Sequence, residues 1–161
     1  MRHAKAEPFA ATDHVRRLTD KGRADAADAA AHLASSHVVP DYALVSPSAR
    51  TVSTWRILAE AMGANPDVSL DDAVYTGSAD VVVDALRSVP EDAGTVVFVG
   101  HNPTAAHVCH LLDDGDGEAD AVSGLLRGFP PAAVVVLEIG VPWAEIGPES
   151  GRVLDFYIGQ G

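Results

Sequence analysis

Two short apolar runs constrain this chain more than any other feature. Tyr42-Ala43-Leu44-Val45 and Val96-Val97-Phe98-Val99 carry no charged residue, the pattern of a strand covered on both faces. Each passes straight into residues that can do chemistry. The first is followed by Ser46-Pro47-Ser48-Ala49-Arg50, the second by Gly100-His101-Asn102-Pro103. A third piece of the same kind, Arg2-His3-Ala4, opens the chain. In parallel α/β sheets the carboxyl ends of the strands converge on one crevice. Two guanidinium groups and two imidazoles brought to one crevice make a site for a phosphoryl group.

Helical stretches alternate with these runs. Residues 20–36 are rich in alanine and predict a helix. A second helix is predicted from Ser46–Ser48 to about Met62, with Pro47 early and Gly63 at its end. A third spans 78–88, between Ser78 and Pro90, and a fourth starts at Pro103 and runs to about Leu112. Residues 5–19 read as a loop. Two late strands, 132–139 and 152–158, flank a loop with Pro142, Gly147, Pro148 and Gly151, and predict an antiparallel pair. The whole predicts one domain over residues 1–161: α/β, three-layer α/β/α, with a mostly parallel central sheet and a C-terminal antiparallel hairpin.

Composition narrows the function. The 161 residues carry a formal net charge of −12, which argues against a nucleic-acid partner. No apolar run approaches the ~20 residues of a membrane-spanning helix, and no membrane partner is expected. The single cysteine, Cys109, fits a reducing cytoplasm. Six of the eleven Lys and Arg residues fall within residues 1–23 and can focus an anion. The acidic stretch 113–120 lacks the glycine and glutamate spacing of a calcium loop. No Gly-x-Gly-x-x-Gly follows a strand, so a dinucleotide site is excluded. His107, Cys109 and His110 lack the further ligands of a zinc set and read as packed or surface residues, and Trp55 and Trp143 read as packing residues.

Arg2-His3-Ala4, Arg16-Arg17-Leu18-Thr19-Asp20-Lys21-Gly22, Ser46-Pro47-Ser48-Ala49-Arg50 and Gly100-His101-Asn102-Pro103 follow one another in an order that resembles the histidine phosphatase superfamily, with its phosphoglycerate-mutase-like fold. The small size and the Arg-x-Leu-Thr element resemble the SixA-type phosphohistidine phosphatases most. The resemblance implies His3 as a transiently phosphorylated nucleophile, Arg2, Arg50 and His101 as catalytic partners, and Arg16 and Asn102 as substrate-binding residues. It implies no cofactor and no metal, since arginines supply the positive charge. Singly, each residue has a plainer reading: His3 as an exposed histidine, His101 as a loop or capping residue, Arg50 as a surface residue of a helix's first turn. The four motifs in order favour catalysis.

Two departures from the family pattern matter. No carboxylic acid stands out as proton donor to a leaving oxygen, and no motif fixes Asp71 or Asp72 in that role. This tilts the expected substrate towards phosphohistidine, whose imidazole leaves more readily than an alkoxide. The second departure is that only Met1 precedes Arg2-His3, where the family has a central apolar strand. The expectation is that Met1 ends that strand and that the natural chain starts several residues earlier. The expected function is a cytoplasmic phosphatase acting, in signal transduction, on phosphohistidine of a phosphotransfer or carrier protein, with phosphate or sulfate able to occupy the site. The alternatives are a small-molecule phosphomonoesterase of the same superfamily and a phosphate-dependent binding module without turnover.

Overall fold

Strand β1 (Tyr42–Val45) sits at the centre of a parallel sheet, between β2 (Asp67–Leu70) and β3 (Val96–Val99). The computed structural model describes residues 1–161. Successive β1 side chains point to opposite faces, and both faces are covered. Ala43 and Val45 enter a core with Ala26, Ala30 and Leu33 of α1 (Asp20–Ser35) and Trp55 and Leu58 of α2 (Ala49–Met62). Leu44 enters a second core with Val82, Val83 and Leu86 of α4 (Ala79–Arg87) and Val108 and Leu112 of α5 (Thr104–Leu112). This two-sided burial is why the run reads as uninterrupted apolar sequence.

The late strands β4 (Ala133–Ile139) and β5 (Gly151–Ile158) form the antiparallel pair, with an irregularity between Val136 and Leu137. Helix α6 (Ala119–Arg127) packs Ala121 and Leu125 against this pair, in a core with Ala133 and Val153. Three elements were not expected: β2, the single turn α3 (Ala73–Thr76), and α6. Strand β2 lies at an edge and is mostly exposed, so it carries no apolar signature. Helix α6 contains Gly124, because a Cβ there would overlap the Phe156 ring, and the glycine weakens its helical pattern.

Residues Met1–Ala4 join the two sheets. The Gly100 N–H donates to the Met1 carbonyl, and the His3 N–H donates to the Gly100 carbonyl. On the opposite side the Arg2 N–H donates to Ala133, and the Ala132 N–H donates to His3. His3 is thus held at the carboxyl end of β3 by backbone bonds in both directions.

The helix ends follow local chemistry. The Thr19 hydroxyl accepts from the Gly22 N–H and caps α1. Helix α2 ends at Gly63, which adopts φ 62 in the left-handed region. Ser46 and Pro47 lie outside α2, and Ser48 is its N-cap residue without capping through its side chain; the Ser48 hydroxyl pairs with Thr51 instead. Pro103 is likewise the N-cap of α5 rather than its first residue.

Gly22 packs against the backbone that leaves the Arg2-His3-Ala4 segment, and a Cβ at this position would overlap the Lys5 carbonyl oxygen. Gly→Ala normally stabilises a helix interior by about 1 kcal/mol. Here the sign reverses: Gly22→Ala is expected to destabilise by about 1–3 kcal/mol, read as a lower denaturant midpoint with an unchanged slope.

Candidate active site

Arg50 organises the site. It stands in the first turn of α2, reached directly from β1, and its side chain is buried. Its Nε–H donates to His3 Nε2 at 3.2 Å. Its Nη1 donates to the Asp13 carbonyl at 2.8 Å, and Nη2 to the Asp13 carboxylate at 2.9 Å. Nη2 also lies 3.2 Å from His101 Nδ1. A cation at a helix N-terminus opposes the helix dipole, so both fields favour an anion at this spot.

The two imidazoles lie edge to face with ring centroids 5.2 Å apart. The His3 Nδ1–H donates to the Ala4 carbonyl at 2.8 Å, which leaves Nε2 with its lone pair. A guanidinium can only donate, so His101 Nδ1 accepts and His101 carries its proton on Nε2, which donates to the Ser46 hydroxyl at 2.7 Å. Ser46, in the loop after β1, thereby orients the histidine that follows β3.

Burial lowers the pKa of His3 to about 4, and the charges of Arg50, Arg2 and Arg16 push the same way. His101 falls to about 3, through burial first and then the charges of Arg50 and its neighbours. Both imidazoles are therefore neutral at physiological pH. The folded state binds these protons more weakly than the unfolded chain does. Their contribution to stability is full above about pH 6.5 and is lost as pH falls through about 4 and then about 3.

Arg16 reaches the site through Asp13, with its Nε and Nη2 both 2.8 Å from the carboxylate. Arg2 and Asn102 meet elsewhere, where Arg2 Nη1 and Asn102 Nδ2 both donate to the Phe129 carbonyl, at 2.9 and 2.8 Å. Arg2 Nε and Asn102 Oδ1 are buried there without hydrogen-bond partners. The structure thus brings His3, Arg50 and His101 into direct contact, links Arg16 to them through a carboxylate, and holds Arg2 and Asn102 on a shared carbonyl outside that contact.

Two site residues were not singled out from the sequence. Asp13 accepts from Arg50, Arg16 and the Tyr75 hydroxyl, the last at 2.6 Å. These donors, Tyr75 foremost, hold its carboxyl well below the usual carboxylate range. Tyr75, in α3, also packs its ring edge to face with His101 at 5.3 Å. The only sequence signal for Asp13 is its spacing from Arg16, and Tyr75 has none. Asp71 binds the Ala73 N–H and starts α3. Cys109 is buried, while His107 and His110 are exposed; Trp55 is buried and Trp143 donates to the Ala93 carbonyl. No group of three or more His, Cys, Asp or Glu side chains is arranged to hold a metal ion. No helix is long and apolar enough to cross a membrane.

Comparisons with known proteins identify the family. Residues 1–74 match the family described as the histidine phosphatase superfamily, branch 1, a span that holds His3, Asp13, Arg16 and Arg50. A solved structure from Nakamurella multipartitia, assigned as the phosphohistidine phosphatase SixA, superposes with a TM-score of 0.84 at 30% identity, covering 100% of this chain and 94% of that one. A structure from Agrobacterium tumefaciens with the same assignment gives a TM-score of 0.80 at 27% identity, covering 98% and 94%. An uncharacterized protein of Mycobacterium tuberculosis is 28% identical over 160 residues, covering 98% of this chain and 99% of that one. The chain belongs to the histidine phosphatase superfamily, with its phosphoglycerate-mutase-like fold. It is a hydrolase of that class.

The neutral state of His3 can be read directly. Titration of the imidazole carbon-bound protons by NMR is expected to place the His3 midpoint near pH 4, well below an ordinary histidine at 6.5. A His3 midpoint near 6.5 would contradict the burial and charge arrangement described.

Proposed function

We propose that this chain hydrolyses phosphohistidine on a partner protein through a covalent phosphohistidine intermediate at His3. The observation that carries this reading is the neutral His3 imidazole, its Nε2 lone pair facing the Arg50 guanidinium. In the first step His3 Nε2 attacks phosphorus in line. The P–N bond to the substrate imidazole breaks, its electron pair stays on that nitrogen, and water supplies the proton. In the second step water attacks phosphorus, the P–Nε2 bond breaks with its electron pair returning to Nε2, the attacking water gives up a proton to solvent in place of the one taken in the first step, and orthophosphate leaves.

Arg50 swings its Nε–H from the His3 lone pair to a phosphoryl oxygen as substrate enters, and Arg2 Nε, buried without a partner, supplies a second donor. Such charge-assisted bonds are worth about 1.5–3 kcal/mol each. Their value is greatest where charge spreads over the transferring group. His101 sits neutral in the free protein. A dianion beside it raises its proton affinity, so it contacts the phosphoryl oxygens and steadies the transition state. Arg16 and Asn102 complete substrate binding.

Asp13 bears on the substrate class. Its donors keep it ionised at neutral pH, so it holds Arg50 and Arg16 in place and has no proton to give a leaving alkoxide. Phosphohistidine needs no such acid. Residues Glu7–Val15, on the loop that carries Asp13, are exposed, which suits a phosphorylated side chain presented by a protein surface. A phosphotransfer or carrier domain in the cytoplasm is the partner this favours, and residues 1–161 act as one domain.

His3→Ala is expected to reduce hydrolysis of a histidine-phosphorylated carrier protein by about 10³-fold or more, and a chelator to leave wild-type turnover unchanged. Acid-labile phosphate should be trapped on His3 of the wild type. Against a panel of sugar phosphates and phosphoglycerates, kcat/KM should stay well below that for the phosphorylated carrier. Full activity of His3→Ala would overturn the nucleophile, and faster turnover of the small phosphomonoesters would overturn the substrate class.

A further inference from the structure

Four aromatic rings form a continuous series at the site. The centroids of His3 and His101 are 5.2 Å apart, those of His101 and Tyr75 5.3 Å, and those of Tyr75 and His14 5.2 Å. The interplanar angles are 61°, 79° and 70°, so each contact is edge to face, at a separation aromatic pairs prefer. Exposure rises along the series: His3 is buried, His101 and Tyr75 are half-buried, and His14 is exposed. The rings therefore lead from the proposed nucleophile out to solvent. The inner two serve the phosphoryl group under the proposed function, and the outer two lie beyond it.

Tyr75 is held from two sides. Its neighbour Val74 is buried in the core with Val82 and Val108. The Thr104 hydroxyl, at the start of α5, donates to the Gly77 carbonyl at 2.9 Å and fastens the end of α3 to the helix that follows His101. At its other end the Tyr75 hydroxyl donates to the Asp13 carboxylate. The ring is thus fixed before a substrate arrives, and little side-chain freedom is left to lose on binding. Since the hydroxyl is committed to Asp13, the ring is what Tyr75 offers a substrate. Arg50 Cζ lies 5.9 Å from the ring centroid, which sets the ring beside the guanidinium that takes a phosphoryl oxygen.

In-line displacement puts the leaving nitrogen on the side of phosphorus opposite to His3 Nε2. The leaving group therefore points outward, past His101, along the stretch made by Tyr75 and His14. An imidazole placed there continues the series of rings, and an alkyl chain does not. We infer that Tyr75 sets the leaving-group preference of this site: its ring, with His14 beyond it, is the surface the departing imidazole lies against, and it favours phosphohistidine over phosphoramidates of aliphatic amines such as phospholysine. The inference rests on the phosphohistidine chemistry proposed at His3. A tyrosine that only steadied Asp13 would act through its hydroxyl and affect every substrate alike. A surface for the imidazole acts through the ring and affects phosphohistidine most.

The test compares two peptides that differ at one residue, phosphohistidine in one and phospholysine in the other. Intrinsic leaving-group reactivity then cancels between wild type and variant. Tyr75→Leu is expected to lower kcat/KM for the phosphohistidine peptide about three- to tenfold more than for the phospholysine peptide. Tyr75→Phe keeps the ring and drops the hydroxyl, and should hold the ratio of the two peptides within about twofold of the wild-type value. Equal losses on both peptides in Tyr75→Leu would overturn the inference. So would a ratio that falls as far in Tyr75→Phe as in Tyr75→Leu. A second measurement uses the wild type alone. With orthophosphate present, imidazole should shift the NMR signals of the Tyr75 ring protons and n-butylamine should not; a ring unmoved by imidazole would overturn the inference. If the wild type hydrolyses neither peptide, the proposed function falls and this inference with it. Hydrolysis of both peptides with an unchanged ratio in Tyr75→Leu removes the inference alone.

Discussion

The site depends on one buried guanidinium. Arg50 makes hydrogen bonds to two histidines and to both the backbone and the carboxylate of Asp13. Those partners come from the N-terminal segment, the loop before α1, and the loop after β3, so a single side chain ties three parts of the chain together. A buried charge is tolerated only when it is paired and hydrogen-bonded. Asp13 supplies the pairing, and the two imidazoles supply acceptors because they are neutral. The planar fork suits this geometry in a way a lysine ammonium cannot.

The same charge adds to burial in setting the protonation states around it. Arg50 lowers the pKa of both histidines and joins Tyr75 and Arg16 in lowering that of Asp13. The site therefore holds a free lone pair on His3 and an ionised carboxylate, with positive charge between them. Such an arrangement is ready for nucleophilic attack on phosphorus and poorly equipped to protonate an alkoxide. Under the proposed function, a preference for a good leaving group follows from these electrostatics, before any contact with the rest of the substrate is considered.

The architecture was legible where both faces of an element are buried. The runs at 42–45 and 96–99 had to be apolar throughout, and they marked the carboxyl ends where Arg50 and His101 emerge. The helix bounded by Gly63 was legible because its end requires a left-handed residue. Strand β2 was not, since an edge strand with one exposed face needs no apolar pattern. His3, Arg50, His101 and Arg16 were visible as motif residues. Asp13 and Tyr75 were not, because they meet across 62 positions in the chain, and beyond the spacing of Asp13 from Arg16 neither sits in a local pattern. The inability to find an acid in the sequence has a physical counterpart: the one carboxylate in the site is committed to two arginines and a tyrosine.

The position of His3 links the chemistry to the middle of the sheet. Its ring is fixed by a bond to the Ala4 carbonyl, and the Ala4 N–H is in turn held by the Thr54 hydroxyl of α2 at 3.1 Å. Thr54 also donates to the Arg50 carbonyl, so one buried hydroxyl sets the His3 segment and the Arg50 backbone relative to each other. The backbone of Met1–His3 is gripped on both sides, by β3 and by β4. In-line attack tolerates little displacement. This grip stiffens the segment that carries His3, so that the pairing of the two sheets and the placement of its imidazole become one property of the fold.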